Sequence, residues 1–590
     1  LLSNYHHHHQ NPAAMIKGGL LNRGSRDAWR LGQRVQLSQN FILKPKVRLD
    51  VNFQRSALKD EQRALSRYQR ETVLGPLFED NHPVLTDGSF SSFLSAFNKR
   101  CNYRTESRAD PYIVKSSIRL LKRMVPEPLP TIEWTKDLFD AWIPQFEPPK
   151  QRRLIKALDR FSAFTQNEFS TKDVFEKVEL LLKRHDPEWA GRIVNASTDL
   201  HNALSGPILQ ECLKRLVASA THDASLGYKA TVQIAYGEVP QNFVQFVEGE
   251  GPFVEADFTS NDKLQVSDVG QLESRWAVRL GMPPWLAGCI LQANSYTAQS
   301  RKFGVKAKLR YQLPSGSTST TFRNSIWNAS IFFSWARRFG IHCNALVLGD
   351  DMLARITNGR LPRRARRDYE HFATLARMKA KVHVRVGLAD CEFLSRVFVP
   401  TCHGHMMMPK LGKALGRFNA RGNPNDVSHS AYVAGKSLSY AYEFRHFKPF
   451  AQLFLERFLL TGEPYHSLPV GLLSFSFRQA VDLLGGRSCV LRFIDECDSA
   501  SDDEFCQFVW HRYGKFRNEA LQDLEDLLFG NFDLPIDRAD PYLSRFLHSL
   551  STPTKRRGEV AEEAPLVGHL DQRWSVAVEG LSYGSEEFIG

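Results

Sequence analysis

A chain of 590 residues with 42% hydrophobic and 11% aromatic residues is too long for one ordinary domain and too apolar for a disordered one, so a large folded body with peripheral subdomains is expected. Lys and Arg outnumber Asp and Glu 77 to 64, a net charge of +13 that suits a polyanionic partner without choosing one. The nine cysteines lack paired metal-ligand spacing and read as free thiols of a reducing compartment. Cys402, His403 and His405 have no second half nearby to complete a tetrahedral zinc site. No apolar run reaches the roughly 20 residues that span a bilayer, and the secretory layout is missing at the start, which points to the cytosol.

In chain order, residues 1–76 are rich in Arg, Gln and Asn with weak periodicity and read as a basic N-terminal extension. From 77 to 252, helical patterns such as 115–124 and 208–218 alternate with Pro-rich connections, so a mostly helical region is expected. Between 253 and 400, short strand-like runs at 253–258, 345–348, 382–386 and 393–399 are separated by helical patterns, one of them carrying Tyr369, Phe372, Leu375 and Ala376 on a face. This part reads as an α+β core. From 401 to 547 the pattern turns helical, and 548–590 form a charged tail without it.

The sharpest local signal is Gly349-Asp350-Asp351 between two apolar runs, a hairpin with carboxylates at its tip. Upstream, the 253–258 run carries Asp257, and Asp262 follows. Carboxylates from separate elements are what a two-metal phosphoryl-transfer site requires. Asp262 also stands where a helix N-terminus favours an acid. Between these segments, Ser315 and Gly316 open a small-residue loop that leads through Thr320 and Asn324 into an amphipathic stretch, and a Ser/Thr cluster is also ordinary capping chemistry.

In this order the three segments resemble the palm of the viral RNA-dependent RNA polymerases, with D-x(4)-D at Asp257 and Asp262, S-G-x(3)-T-x(3)-N at Ser315, Gly316, Thr320 and Asn324, and G-D-D at Gly349 to Asp351. The resemblance implies a right-hand α+β fold. Fingers would span 77–252, a palm of antiparallel sheet plus helices 253–400 with a fingers insertion near 270–310, and a helical thumb 401–547. It implies Mg²⁺, or Mn²⁺ in its place, on Asp257, Asp350 and Asp351. Nucleotide contacts would come from Asp262, Ser315, Gly316, Thr320 and Asn324, and triphosphate contacts near 175–194 from Lys177, in Lys177-Val178-Glu179, and Arg192. Lys379 or Lys381 would protonate leaving pyrophosphate, and Lys381 is preferred. Phe393, Ser395 and Arg396 fall in a segment that looks like the hairpin gripping the primer end.

The partners so implied are RNA template and nascent RNA, ribonucleoside triphosphates, and viral or host components of a replication complex. The place implied is the host cytoplasm, at membrane-associated replication complexes. The motif details lean toward noda-, tombus- or hepe-like polymerases. Two other readings compete. A reverse transcriptase shares the acids but usually has an aromatic residue where Leu348-Gly349 stands, and a non-catalytic basic RNA-binding protein would bind RNA equally well with chelator present.

Overall fold

The apolar runs on either side of Gly349 fold back on each other at the centre of a mixed sheet. The computed structural model describes residues 38–39, 52–55, 84–85 and 89–513, the last range without 105–107, 162–166, 178–189, 223–229, 238–239, 411–413 and 415–426. Most of the N-terminal extension, the end of the expected thumb, the C-terminal tail, and Val178 and Glu179 lie outside the described residues.

The strands that frame the site are, in chain order, β1 (Asn52–Arg55), β2 (Thr171–Lys177), β3 (Arg192–Ala196), β4 (Ala230–Ile234), β5 (Phe253–Phe258), β6 (Ser295–Ser300), β7 (Val305–Arg310), β8 (Cys343–Leu348), β9 (Asp351–Ile356), β10 (Ala380–Arg385), β11 (Glu392–Phe393), β12 (Arg396–Thr401) and β13 (Gly404–Pro409). One five-stranded sheet has the order β10-β5-β9-β8-β4. Its pairs are antiparallel except at one edge, where β4 runs parallel to β8 from Ala230↔Cys343 to Ile234↔Val347. The expected antiparallel sheet therefore needs correction at that edge, and β4 joins it from before residue 253. A parallel partner requires a long crossover, and the chain between β4 and β8 provides one.

A second five-stranded sheet, β1-β7-β6-β2-β3, takes its strands from regions read as helical or peripheral. The expected insertion near 270–310 contributes β6 and β7, and the N-terminal extension reaches in through β1. In β7, Val305, Ala307 and Leu309 are buried while Lys306, Lys308 and Arg310 face solvent, a period of two. In β6 and β2 polar residues blur that pattern. In β10, Val382 and Val384 are buried, but Val386 lies past the strand end and is exposed.

Four helices matter to the site: α1 (Pro111–Met124), α2 (Asp199–His222), α3 (Thr320–Phe339) and α4 (Ala365–Leu375). α3 is buried along nearly its whole length and carries Phe322, Trp327, Phe332 and Trp335 into the main core, where Trp335 packs edge-on against Tyr369 of α4. It stops at Gly340, whose φ of +63° suits a C-cap that a side chain would strain. The chain then re-enters the sheet as β8, so the start of α3 and the β8–β9 turn share one end of the molecule. The region expected to be helical from 401 opens instead with the end of β12 and with β13; beyond β13 the described residues run through α5 (His429–Glu443), α6 (Lys448–Thr461) and further helices to Tyr513. These helices enclose a second core with Val397 and Val399 of β12.

Candidate active site

β5 sits between β9 and β10, and both ladders are antiparallel with Ala256 opposite Met352 and Val382. Asp257, one residue on, faces Lys381 directly across the β10 ladder. On the other side β8 and β9 close with Leu348 opposite Asp351, leaving Gly349-Asp350 as a two-residue turn. Gly349 has φ +58°, the conformation a type II′ hairpin gives to glycine at its first central position. Asp257, Asp350 and Asp351 are thus carried to one place by two adjacent strands and a tight turn.

Their proximity shapes the electrostatics. Burial and the charge of Asp351 push the Asp257 carboxyl up to about 8, while the Phe258 N–H, Lys381 and Lys410 oppose the shift. The Asp350 carboxyl is raised well above its ordinary range by burial, then by Asp257, Asp351 and Asp262. Asp350 is 5% exposed, and its Oδ1 is buried without a hydrogen-bond partner. Carboxylates crowded in this way fit a hard divalent cation, which would relieve both repulsion and the orphaned oxygen. Among the described residues no three His, Cys, Asp or Glu side chains form a ready-made cage, so water and substrate oxygens would complete the coordination.

Asp262 belongs to a second network. Asn324 Nδ2 donates to Asp262 Oδ1 at 3.0 Å, Gln265 Nε2 donates to Asn324 Oδ1 at 2.6 Å, and Arg323 Nε donates to Gln265 Oε1 at 2.7 Å. Arg323 also lies 3.5 Å from Glu273, with both side chains 3% exposed. A buried ion pair therefore anchors the chain of amides that holds Asp262. Gln265, Arg323 and Glu273 carry no local signal of this role, because they meet only once the helices are packed.

The small-residue loop docks on β3. Ser315 Oγ donates to the Ile193 carbonyl at 2.8 Å, and the Asn195 N–H donates to the Ser315 carbonyl at 2.7 Å. Gly316 has φ +97°, and a Cβ there would come within 2.8 Å of Val194 Cγ1. The Thr320 hydroxyl turns back to the Ser317 carbonyl at 2.9 Å, so it secures the first turn of α3. Ser205, in the Leu204-Ser205-Gly206-Pro207 stretch within α2, meets the Thr318 hydroxyl at 2.7 Å. Lys177 and Arg192 face each other across the β2–β3 ladder, so one strand carries both the docked loop and Arg192.

A cavity beside the acids is lined by Asp257, Asp351, Lys381, Phe393, Ser395 and Lys410. Lys410 was not singled out from the sequence; it pairs with Glu392, and its N–H donates to the Ser395 carbonyl at 3.1 Å. Leu394 and Ser395 take φ +52° and +56° at the β11–β12 turn. Phe393 is 2% exposed and part of a core cluster. Arg396 turns away from the cavity: its Nη2 donates to both Glu443 oxygens at 3.0 and 2.9 Å, and it is buried. Its charge joins β12 to α5. Of the Cys402, His403 and His405 group, the Cys402 N–H bonds to Glu504 and His405 pairs with Glu248.

A family model described as RNA dependent RNA polymerase matches residues 53–439, about two thirds of the chain. No curated protein matches the sequence. The matched span contains every acid, amide and cation described above except Glu443 and Glu504.

Proposed function

The chain belongs to the viral RNA-dependent RNA polymerases, and on that premise we propose that Asp257 and Asp350 are its first-rank metal ligands, with Asp351 auxiliary. The enzyme joins ribonucleoside triphosphates into RNA on an RNA template. The reaction is attack of a 3′-hydroxyl on the α-phosphorus, with pyrophosphate leaving in line. When bound, Mg²⁺, or Mn²⁺ in its place, supplies the charge that acidifies the attacking hydroxyl and steadies the departing oxygens. The observation that carries this reading is the junction of β5 with the β8–β9 turn, which gathers Asp257, Asp350 and Asp351 and leaves Asp350 Oδ1 buried without a hydrogen-bond partner.

Around that centre, Lys381 is the proton donor to pyrophosphate, supported by its place opposite Asp257 on the shared cavity. Asp262 and Asn324 read the 2′-hydroxyl, with Thr320, Ser315 and Gly316 fixing the loop beside them. Lys177 and Arg192 take triphosphate oxygens, the Arg able to bind two at once. Ser395 and Phe393 border the growing end, and Arg396 holds their hairpin against α5. On the same reading 77–252, 253–400 and 401–547 act as fingers, palm and thumb, with β4 added to the palm. The enzyme works in the host cytoplasm with viral or host partners; among the described residues no helix is long and apolar enough to cross a membrane.

Incorporation of labelled ribonucleotide on single-stranded RNA with Mg²⁺, comparing the intact chain with Asp350→Ala, tests the metal site. Product from the intact chain alone is expected. Equal incorporation by both removes Asp350 from it.

A further inference from the structure

The catalytic turn is held from outside by a helix that carries none of its acids. The Gly349 N–H donates to Ser325 Oγ at 2.8 Å, and Asn328 Nδ2 donates to the Gly349 carbonyl at 3.2 Å. Both backbone polar groups of the one glycine in the turn, which belong to the two peptide units on either side of its Cα, are therefore bound by α3. Asn324, one residue before Ser325, holds Asp262 from the same helix. Asn324 and Asn328 are one turn apart and share a face, with Ser325 beside them.

We propose that Ser325 and Asn328 are positioning residues that set the Asp350 carboxylate for metal. Glycine at positive φ is the freest link in the turn, and a Cβ at Gly349 would meet nothing within 4 Å. Packing does not fix this residue; the two hydrogen bonds do. Asn328 gives independent support. It is 1% exposed, and its Oδ1 is buried with no partner, which an apolar side chain of similar size would avoid at a gain of about 1–3 kcal/mol. The amide orientation is not arbitrary, since turning it would set oxygen against the Gly349 carbonyl. Mg²⁺ demands near-ideal octahedral geometry, so loss of the clamp would be felt first in metal binding. Because α3 also holds Asp262, the same helix links the ribose-reading acid to the metal-bearing turn.

This inference rests on Asp350 as a metal ligand, so Asp350→Ala is measured beside Ser325→Ala and Asn328→Ala in the full chain. Three readouts are taken: amide hydrogen exchange across the Gly349 turn, Mn²⁺ affinity by calorimetric titration without nucleotide, and kcat against KM for incorporation. Ser325→Ala is expected to speed exchange at the turn, weaken Mn²⁺ binding and lower kcat about tenfold, the loss of one hydrogen bond's worth of positioning, while KM stays put. Unchanged exchange and metal affinity overturn the proposal. So does a fall in kcat that accompanies a lower melting temperature with metal affinity intact, which would make Ser325 merely structural. If Asp350→Ala itself binds metal and polymerises normally, the ligand assignment has failed instead.

Discussion

Lys381 stands directly across an antiparallel ladder from Asp257, so cation and carboxylate rise from neighbouring strands on the same face of the sheet. Lys381 favours the ionised form of a carboxyl that burial and Asp351 push up to about 8. Replacing it with Met should therefore raise the pH at which Asp257 loses its proton and accepts metal. In initial-rate profiles, the acid limb is expected to move to higher pH and the Mg²⁺ requirement to rise. Loss of the proposed proton donor should lower the plateau by about 10²-fold or more. Lys379→Met serves as the comparison, because Lys379 lies before β10 and outside the lining of the cavity that Asp257 and Lys381 share. If the Lys381→Met profile merely scales down without moving, the pairing with Asp257 is not functional.

The same crowding predicts how metal-free protein responds to pH. Asp257 and Asp350 bind protons more tightly folded than unfolded. Their contribution to stability is therefore full below the ordinary carboxyl range near pH 4 and is lost as pH rises through about 8 for Asp257. In chelator, melting temperature should fall from pH 6 to 8.5 by more than it does in Asp257→Asn. Added Mg²⁺ should recover the difference, and recover more at pH 8.5 than at pH 6, since protons compete with it for the same oxygens. Equal Mg²⁺ stabilisation at both values contradicts a proton-holding cluster.

The acids were legible in the sequence and their supports were not, for a physical reason. Gly349, Asp350 and Asp351 sit between two apolar runs, and a turn of that kind is encoded in consecutive residues. Asp257 likewise ends a strand-like run. Ser325 and Asn328 reach Gly349 across 24 and 21 residues of chain, so only packing brings them together. Arg396 reads as a surface cation by type, yet Glu443, 47 residues on, claims it. The second sheet was missed because β6, Ser-Tyr-Thr-Ala-Gln-Ser, offers small polar residues in place of apolar alternation. In β7 the alternation of Val305, Ala307 and Leu309 does carry the strand signal, but it spans only six residues.

Two glycines in the site should respond differently to alanine. At Gly349 the φ of +58° is positive but a Cβ meets open space, so the cost should be limited to backbone strain. At Gly316 the φ of +97° is positive too, and in addition the new Cβ would press to 2.8 Å on Val194. Gly316→Ala should therefore shift the loop off β3 and lower the melting temperature further than Gly349→Ala. Denaturation of the two variants side by side checks the order. A Gly316→Ala protein as stable as the parent would mean that the loop's docking on β3 is loose.

Asn324 links Asp262 to Gln265, and through it to the Arg323–Glu273 ion pair. Removing the amide in Asn324→Ala leaves Asp262 without one of its donors and Gln265 without its acceptor, so stability should fall by about 1–3 kcal/mol. Rate alone cannot then separate folding from function, and the informative quantity is the ratio of kcat/KM for a ribonucleotide to that for its deoxy counterpart. A site built to bond the 2′-hydroxyl rejects the analogue that lacks it, because its polar groups are left unpaired. With Asp262 no longer held, that penalty shrinks, and the ratio is expected to drop by about tenfold or more. An unchanged ratio with a lower rate would make Asn324 a support for the helix packing, and would move recognition of the sugar to Asp262 alone.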